Sequence, residues 1–192
     1  MSRKFYLCLS PADWVSLFRI FSFPIVLIFI YYQLRLTYSI LISLNLISDL
    51  LDGIIARKLK CQSAKGAMLD SIGDLLNVIL MIAGVYFFEQ KFFIENFIYL
   101  SISIFLFLSV IAYGFFKYGK PASFHTWLSK FSALFLGIFF MVLFFIGPFE
   151  CFFYLTIFFT VLSQIEELIL IYLIPFWRTD VKGIFWLMKD AF

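Results

Sequence analysis

Asp49-Leu-Leu-Asp52-Gly53-Ile-Ile-Ala56-Arg57 and, after eight further residues, Gly66-Ala-Met-Leu-Asp70-Ser-Ile-Gly73-Asp74 form the stretch around which the rest of this 192-residue chain is arranged. At about 100° per residue, Asp49, Asp52, Gly53 and Ala56 share one face of a helix. Gly66, Asp70, Gly73, Asp74 and Asn77 share one face of the next by the same rule. Each face combines acidic side chains with Gly or Ala, which lets backbones and a ligand come close. Two antiparallel helices joined by residues 58–65 would bring the four carboxylates to two common depths, at ~1.5 Å of rise per residue.

Both segments are strongly apolar, and 64% of the chain is hydrophobic. One Asp at mid-membrane costs about 2.5–3.5 kcal/mol on the insertion scale, and several carboxylates this close cannot all stay ionised alone. Bound hard cations resolve both difficulties, and a set of oxygen ligands points to Mg²⁺ or Mn²⁺. Two ions beside phosphate chemistry would clamp the attacking and leaving oxygens. The alternatives are structural carboxylates paired with Arg57, Lys58 or Lys65, and a transporter or ion pathway built on the same acids. The second accounts for the Asp residues but not for the glycines or the arginine.

The eight fixed positions match the pattern D-x2-D-G-x2-A-R-x8-G-x3-D-x3-D, and the stretch resembles the signature of the CDP-alcohol phosphotransferase (CDP-alcohol phosphatidyltransferase) family. The resemblance implies an integral membrane enzyme with six helices, usually a homodimer. Such enzymes move a phosphatidyl or related group from a CDP-activated donor, such as CDP-diacylglycerol, to an acceptor alcohol and release CMP in phospholipid synthesis. By similarity Asp49, Asp52 and Asp70 would hold metal, and Asp74 would contact metal and act as the base. Gly53, Ala56, Arg57 and Gly66 would shape the nucleotide–diphosphate pocket. The acceptor is left open: Asp70-Ser71-Ile72-Gly73-Asp74-Leu75 departs from the glycerophosphate-accepting pattern and only partly matches the serine-accepting one.

Length and hydropathy leave room for one all-α membrane domain over residues 1–192, with about six spans of roughly 20 residues. They fall near 15–32, 38–57, 66–88, 93–116, 127–146 and 152–174. Ser10-Pro11-Ala12-Asp13 reads as a helix start, with a capping Ser and Pro at the first position. Residues 2–9 and the tail Val181, Ile184, Phe185 and Met188 read as amphipathic segments lying at the membrane surface. With the 58–65 loop inside, the inner side holds 12 Lys and Arg, Arg19 set apart, and the outer side only Arg35 and Lys91. This bias places both termini and the acidic site in the cytoplasm, and in a bacterium the membrane would be the cell (inner) membrane.

Secondary constellations attend the same end. Arg19 either snorkels to the surface or faces the site as an anion ligand. His125 and Lys130 either form a headgroup-level belt with Trp127 or contact donor or acceptor phosphates. Glu166 and Glu167 inside the last span need partners, and an ion pair with Arg19 or Lys130 is the expected one. Adjacent positions point about 100° apart, so at most one can face the site. Cys8, Cys61 and Cys151 lack metal or disulfide spacing, and no pattern points to a nucleic-acid partner.

Overall fold

The computed structural model describes residues 11–58, 64–122, 124, 126–178 and 181–190; side chains at 11–13, 49–58, 64, 65, 67 and 188–190 are outside the description. The architecture is all-helical: α1 (Pro11–Tyr31), α2 (Arg35–Lys58), α3 (Ala64–Phe88), α4 (Gln90–Glu95), α5 (Phe97–Tyr118), α6 (Trp127–Phe145), α7 (Glu150–Leu173) and α8 (Ile184–Asp190). No strand occurs among the described residues. Among the described residues, five helices (α1, α3, α5, α6 and α7) are long and apolar enough to cross a membrane. The other long helix, α2, is ~36 Å long at ~1.5 Å per residue, but Asn45, Ser48, Asp49, Asp52, Arg57 and Lys58 interrupt its apolar character.

The helix order in space differs from the order in sequence. α1 packs along both α2 and α3, α6 packs on α2, and α7 lies between α6 and α5. The main core fills the end of the bundle far from the Asp motif. Val26 and Ile30, Tyr38 and Ile42, Leu80 and Val85, Leu143 and Phe144, and Phe153 interlock there. Tyr38 is the hub: its ring meets Phe144 edge-on at 4.9 Å, and its hydroxyl donates to the Leu80 carbonyl at 3.0 Å. Gly84, one turn beyond Leu80, makes that approach possible, because a Cβ there would overlap the Tyr38 hydroxyl.

Arg35 closes the far end. Its Nη2 bonds Glu89 at 2.6 Å and the Leu143 carbonyl at 3.2 Å, and its Nε donates to the Phe144 carbonyl at 3.1 Å. One side chain thereby ties the start of α2 to the ends of α3 and α6. The carbonyls at a helix end lack intrahelical donors, so a guanidinium there satisfies groups that hydrocarbon cannot.

Two local readings of the sequence are corrected. The expected span at 93–116 is interrupted at Asn96, where α4 gives way to α5. The buried Asn96 amide donates to the Phe92 carbonyl at 3.2 Å, a side-chain competitor to regular backbone bonding. In the tail, Val181, Ile184 and Leu187 pack into a second core with Phe124, Leu170, Ile171 and Ile174, while Phe185 is turned outward. The helix starts only at Ile184, so Val181 does not obey the helical spacing that paired it with Phe185. α7 ends at Leu173, two residues before Pro175, at the close of the expected span 152–174.

Candidate active site

Asp70 and Asp74 stand one turn apart on the first half of α3, as the i, i+4 spacing requires. Both reach toward α1. Arg19 Nη2 bonds Asp70 Oδ1 at 2.7 Å, and Arg19 Nη1 bonds Asp74 Oδ1 at 2.8 Å. Gly73, between the two acids, makes the approach possible: a Cβ there would stand 3.1 Å from Arg19 Cζ. The guanidinium therefore lies close against the α3 backbone and bridges two carboxylates, which a Lys point charge could not do in the same geometry.

The burial pattern is informative. Arg19 is fully buried, whereas the Asp70 and Asp74 side chains are 31% and 41% exposed. Snorkelling is not what Arg19 does, since a snorkelling head would lie at the surface; its guanidinium faces the acids and is engaged by their carboxylates. The two carboxylates share one guanidinium and remain partly exposed. Asp49, Asp52, Gly53, Ala56 and Arg57 lie on the last turns of α2, and their side chains are outside the described residues. Gly66 lies at the start of α3. His125 is also outside the described residues. Lys130 is exposed, with its ammonium 5.3 Å from the Trp127 ring centroid.

Sequence reasoning missed a polar layer beneath the acids. Ser22 Oγ lies 3.0 Å from Asn45 Oδ1 and 2.9 Å from the Arg19 carbonyl, tying α1 to α2 at the level just below Arg19. Asn45 Nδ2 and Asn77 Oδ1 are buried and find no hydrogen-bond partner among the described residues. Asn45 precedes Asp49 by four residues and Asp52 by seven, a spacing that could have flagged it. Orphaned buried amides next to a charged cluster are suited to water or to a polar ligand.

The expected pairing of Glu166 and Glu167 with Arg19 or Lys130 is not found among the described residues. Arg19 is engaged by the two Asp residues. Glu166 Oε1 instead accepts the Ile184 amide at 3.2 Å and holds the tail against the bundle. Other basic residues at this end also have structural tasks. Lys117 Nζ donates to the carbonyls of Ile171 and Tyr172 at 2.6 and 2.9 Å, and Lys120 stacks 3.6 Å from the Trp177 ring centroid.

The family profile described as CDP-alcohol phosphatidyltransferase matches residues 9–163, a segment that runs from the lead-in to α1 through most of α7 and contains the whole acid motif. The chain belongs to the CDP-alcohol phosphatidyltransferase family. A CDP-alcohol phosphatidyltransferase is a transferase of phosphate groups that serves phospho-alcohol transfer in lipid synthesis, from a CDP-linked donor to an alcohol in a membrane. The apolar helices agree with an integral membrane protein. No curated protein and no solved structure matched the chain.

Proposed function

We propose that this chain transfers a phosphatidyl group from CDP-diacylglycerol, or a closely related CDP-linked lipid, to a small alcohol, with release of CMP. The observation that carries this reading is the pair of partly exposed carboxylates, Asp70 and Asp74, fixed by buried Arg19 within the family-matched segment. α2 serves as the sixth span, the acid end faces the cytoplasm, and the enzyme acts as a homodimer.

Divalent metal fits this donor set: Asp70 and Asp74 offer hard, partly exposed oxygens on one helix face. Asp49 and Asp52, from the end of α2, would complete the ligands for Mg²⁺ or Mn²⁺. When bound, the metal supplies charge neutralisation for the donor diphosphate. The residues of the chain do the rest. Asp74 accepts the proton of the acceptor hydroxyl, the oxygen forms a bond to the lipid-linked phosphorus, and the bond from that phosphorus to the CMP oxygen breaks. CMP departs with the electron pair. Arg57, with Gly53, Ala56 and Gly66 around the diphosphate, holds the departing charge. Arg19 fixes Asp74 in the orientation that receives the proton.

The direct test incubates purified protein with CDP-diacylglycerol, Mn²⁺ and a panel of alcohols and measures CMP. Acceptor-dependent CMP is expected. Ion flux in sealed vesicles with no CMP formed would replace this reading with that of a transporter.

A further inference from the structure

The polar layer beneath the acids lies where three helices meet, and two separate contacts fix its depth. The Tyr38 hydroxyl of α2 reaches α3 at Gly84, where a Cβ would overlap it. From that contact Asn45 lies seven residues toward the acid end along α2, and Asn77 seven residues toward the acid end along α3, ~10.5 Å in each case. Nearer the acids, the Arg19 guanidinium of α1 lies against Gly73 of α3. Ser22 is three residues deeper on α1 and Asn77 four deeper on α3, roughly 4.5 and 6 Å. Ser22 in turn meets Asn45. Ser22, Asn45 and Asn77 therefore share one level, a single turn below Asp49 and Asp74 on their own helices.

At that level the bonding is incomplete in a complementary way. Asn45 and Asn77 are 0% and 4% exposed. The Asn45 Nδ2 donor and the Asn77 Oδ1 acceptor each find no partner among the described residues, so the two amides do not bond each other through these atoms. The next level down is apolar, with Val26, Ile42, Leu80 and Met81. The level above holds Asp70 and Asp74, both partly exposed. An unmatched amide inside an apolar span is costly. One water accepts from an amide nitrogen and donates to an amide oxygen, which matches both groups at once.

We propose that Asn45 and Asn77 hold one ordered water between them, and that this hydrated layer positions the acids by setting how far α2 stands from α3. The distance matters because Asp49 and Asp52 lie on one helix and Asp70 and Asp74 on the other, so a shared metal requires the two pairs at a fixed span. This rests on the metal-dependent transferase reading and adds Asn45 and Asn77 to it as positioning residues. The layer also reaches α1, which packs along both helices, since Ser22 joins Asn45 to the Arg19 carbonyl. A buried water makes about three hydrogen bonds, which leaves one beyond the two amides for the acid level above. Asn suits the task because it bonds water without adding a charge to compete for Arg19 or for the metal.

The test uses the full chain in lipid nanodiscs with Mn²⁺ alone as the probe. It reads Mn²⁺ affinity by electron paramagnetic resonance and, separately, the thermal midpoint without metal. Replacing an unmatched buried amide by an apolar group of similar shape can be neutral or stabilising, so the two readouts should part. Asn77→Leu should weaken Mn²⁺ binding by about tenfold or more, the range for groups that orient metal ligands from behind, with the midpoint kept or raised. Asn77→Ser, which keeps an oxygen acceptor and leaves room for water, should restore most of the affinity. Asn45→Leu combined with Asn77→Leu should lose little more than the more impaired single variant, because both act through one water. Affinity unchanged in Asn77→Leu, affinity falling only in step with the midpoint, or additive losses in the double variant overturn the positioning role and leave the transferase reading standing. Absence of Mn²⁺ binding by the wild-type chain overturns the metal-dependent reading and this inference with it. If the variants fail to fold, a high-resolution structure of the wild-type chain decides: ordered water between the two amides is expected, and direct contact between them overturns the proposal.

Discussion

Two arginines, sixteen residues apart in sequence, do opposite things at the two ends of the bundle. At the far end Arg35 is 40% exposed and its partner Glu89 only 16%, so a tucked-in acid is capped by a cation open to the surroundings. At the motif end Arg19 is fully buried, and its partners Asp70 and Asp74 are the exposed members. Arg35 also spends two bonds on helix-end carbonyls, so three of its N–H groups are committed to structure. The Arg19 cluster uses its guanidinium for two side-chain carboxylates instead. An ion pair that seals a bundle buries its anion; one that serves a site leaves it within reach.

This contrast can be broken at several points. Removing divalent cations by chelation is expected to abolish CMP formation, with recovery on adding Mn²⁺ or Mg²⁺; full activity after exhaustive chelation would take metal out of the acid end. Asp49→Asn should lose metal and donor binding together, read as parallel loss of Mn²⁺ and CDP-diacylglycerol affinity. Asp74→Asn should lower turnover by about 10²–10⁴-fold, the range of general-base catalysis, with the thermal midpoint nearly kept because Asp70 still holds Arg19. Turnover near wild type would remove the base assignment.

The arginines themselves give a direct comparison. Arg19→Lys should cost roughly 10²-fold in activity through loss of the two-carboxylate grip. Arg35→Lys should leave turnover within about threefold and lower stability by roughly 1–3 kcal/mol, as bonds from a charged donor are lost. If the two variants behave alike in both assays, the distinction between seal and site fails. Gly84→Ala, which crowds Tyr38 in the far core, should destabilise by about 1–3 kcal/mol without selective loss of activity. Gly73→Ala is expected to be the mildest, since its Cβ needs only a few tenths of an ångström from the Arg19 guanidinium, and a fall in activity exceeding any loss of stability is the sign to look for.

The spacing of Asp70 and Asp74 was legible because an i, i+4 acid pair in an apolar helix has few physical uses. The helix limits were legible for similar reasons: Pro11, Gly119 and Pro175 punctuate long apolar runs. Arg19 could be placed near the site by its depth, but its choice of partners depended on how α1 lies across α3, which no local pattern encodes. The Asn96 break was invisible because no Pro or Gly marks it and the Asn96 amide bonds locally to the Phe92 carbonyl. Glu166 was misjudged for another reason. Sequence offers a carboxylate only charged partners to weigh, whereas the fold supplied a backbone amide from the tail. The Arg35 staple depends on carbonyls 108 and 109 residues away, a separation beyond any spacing rule.

That separation has a consequence for biogenesis. The chain leaves the ribosome at about 5–20 residues per second, so Arg35 waits on the order of 5–20 seconds for the carbonyls of Leu143 and Phe144 to emerge. Arg19, Asp70 and Asp74 are all synthesised by the end of α3, and their contacts can form while α6 is still unmade. A nascent chain halted in that interval would present a completed acid–arginine cluster on helices with an unfastened rim, a species that quality-control proteases in the membrane could distinguish from the finished protein by its free Arg35 end alone.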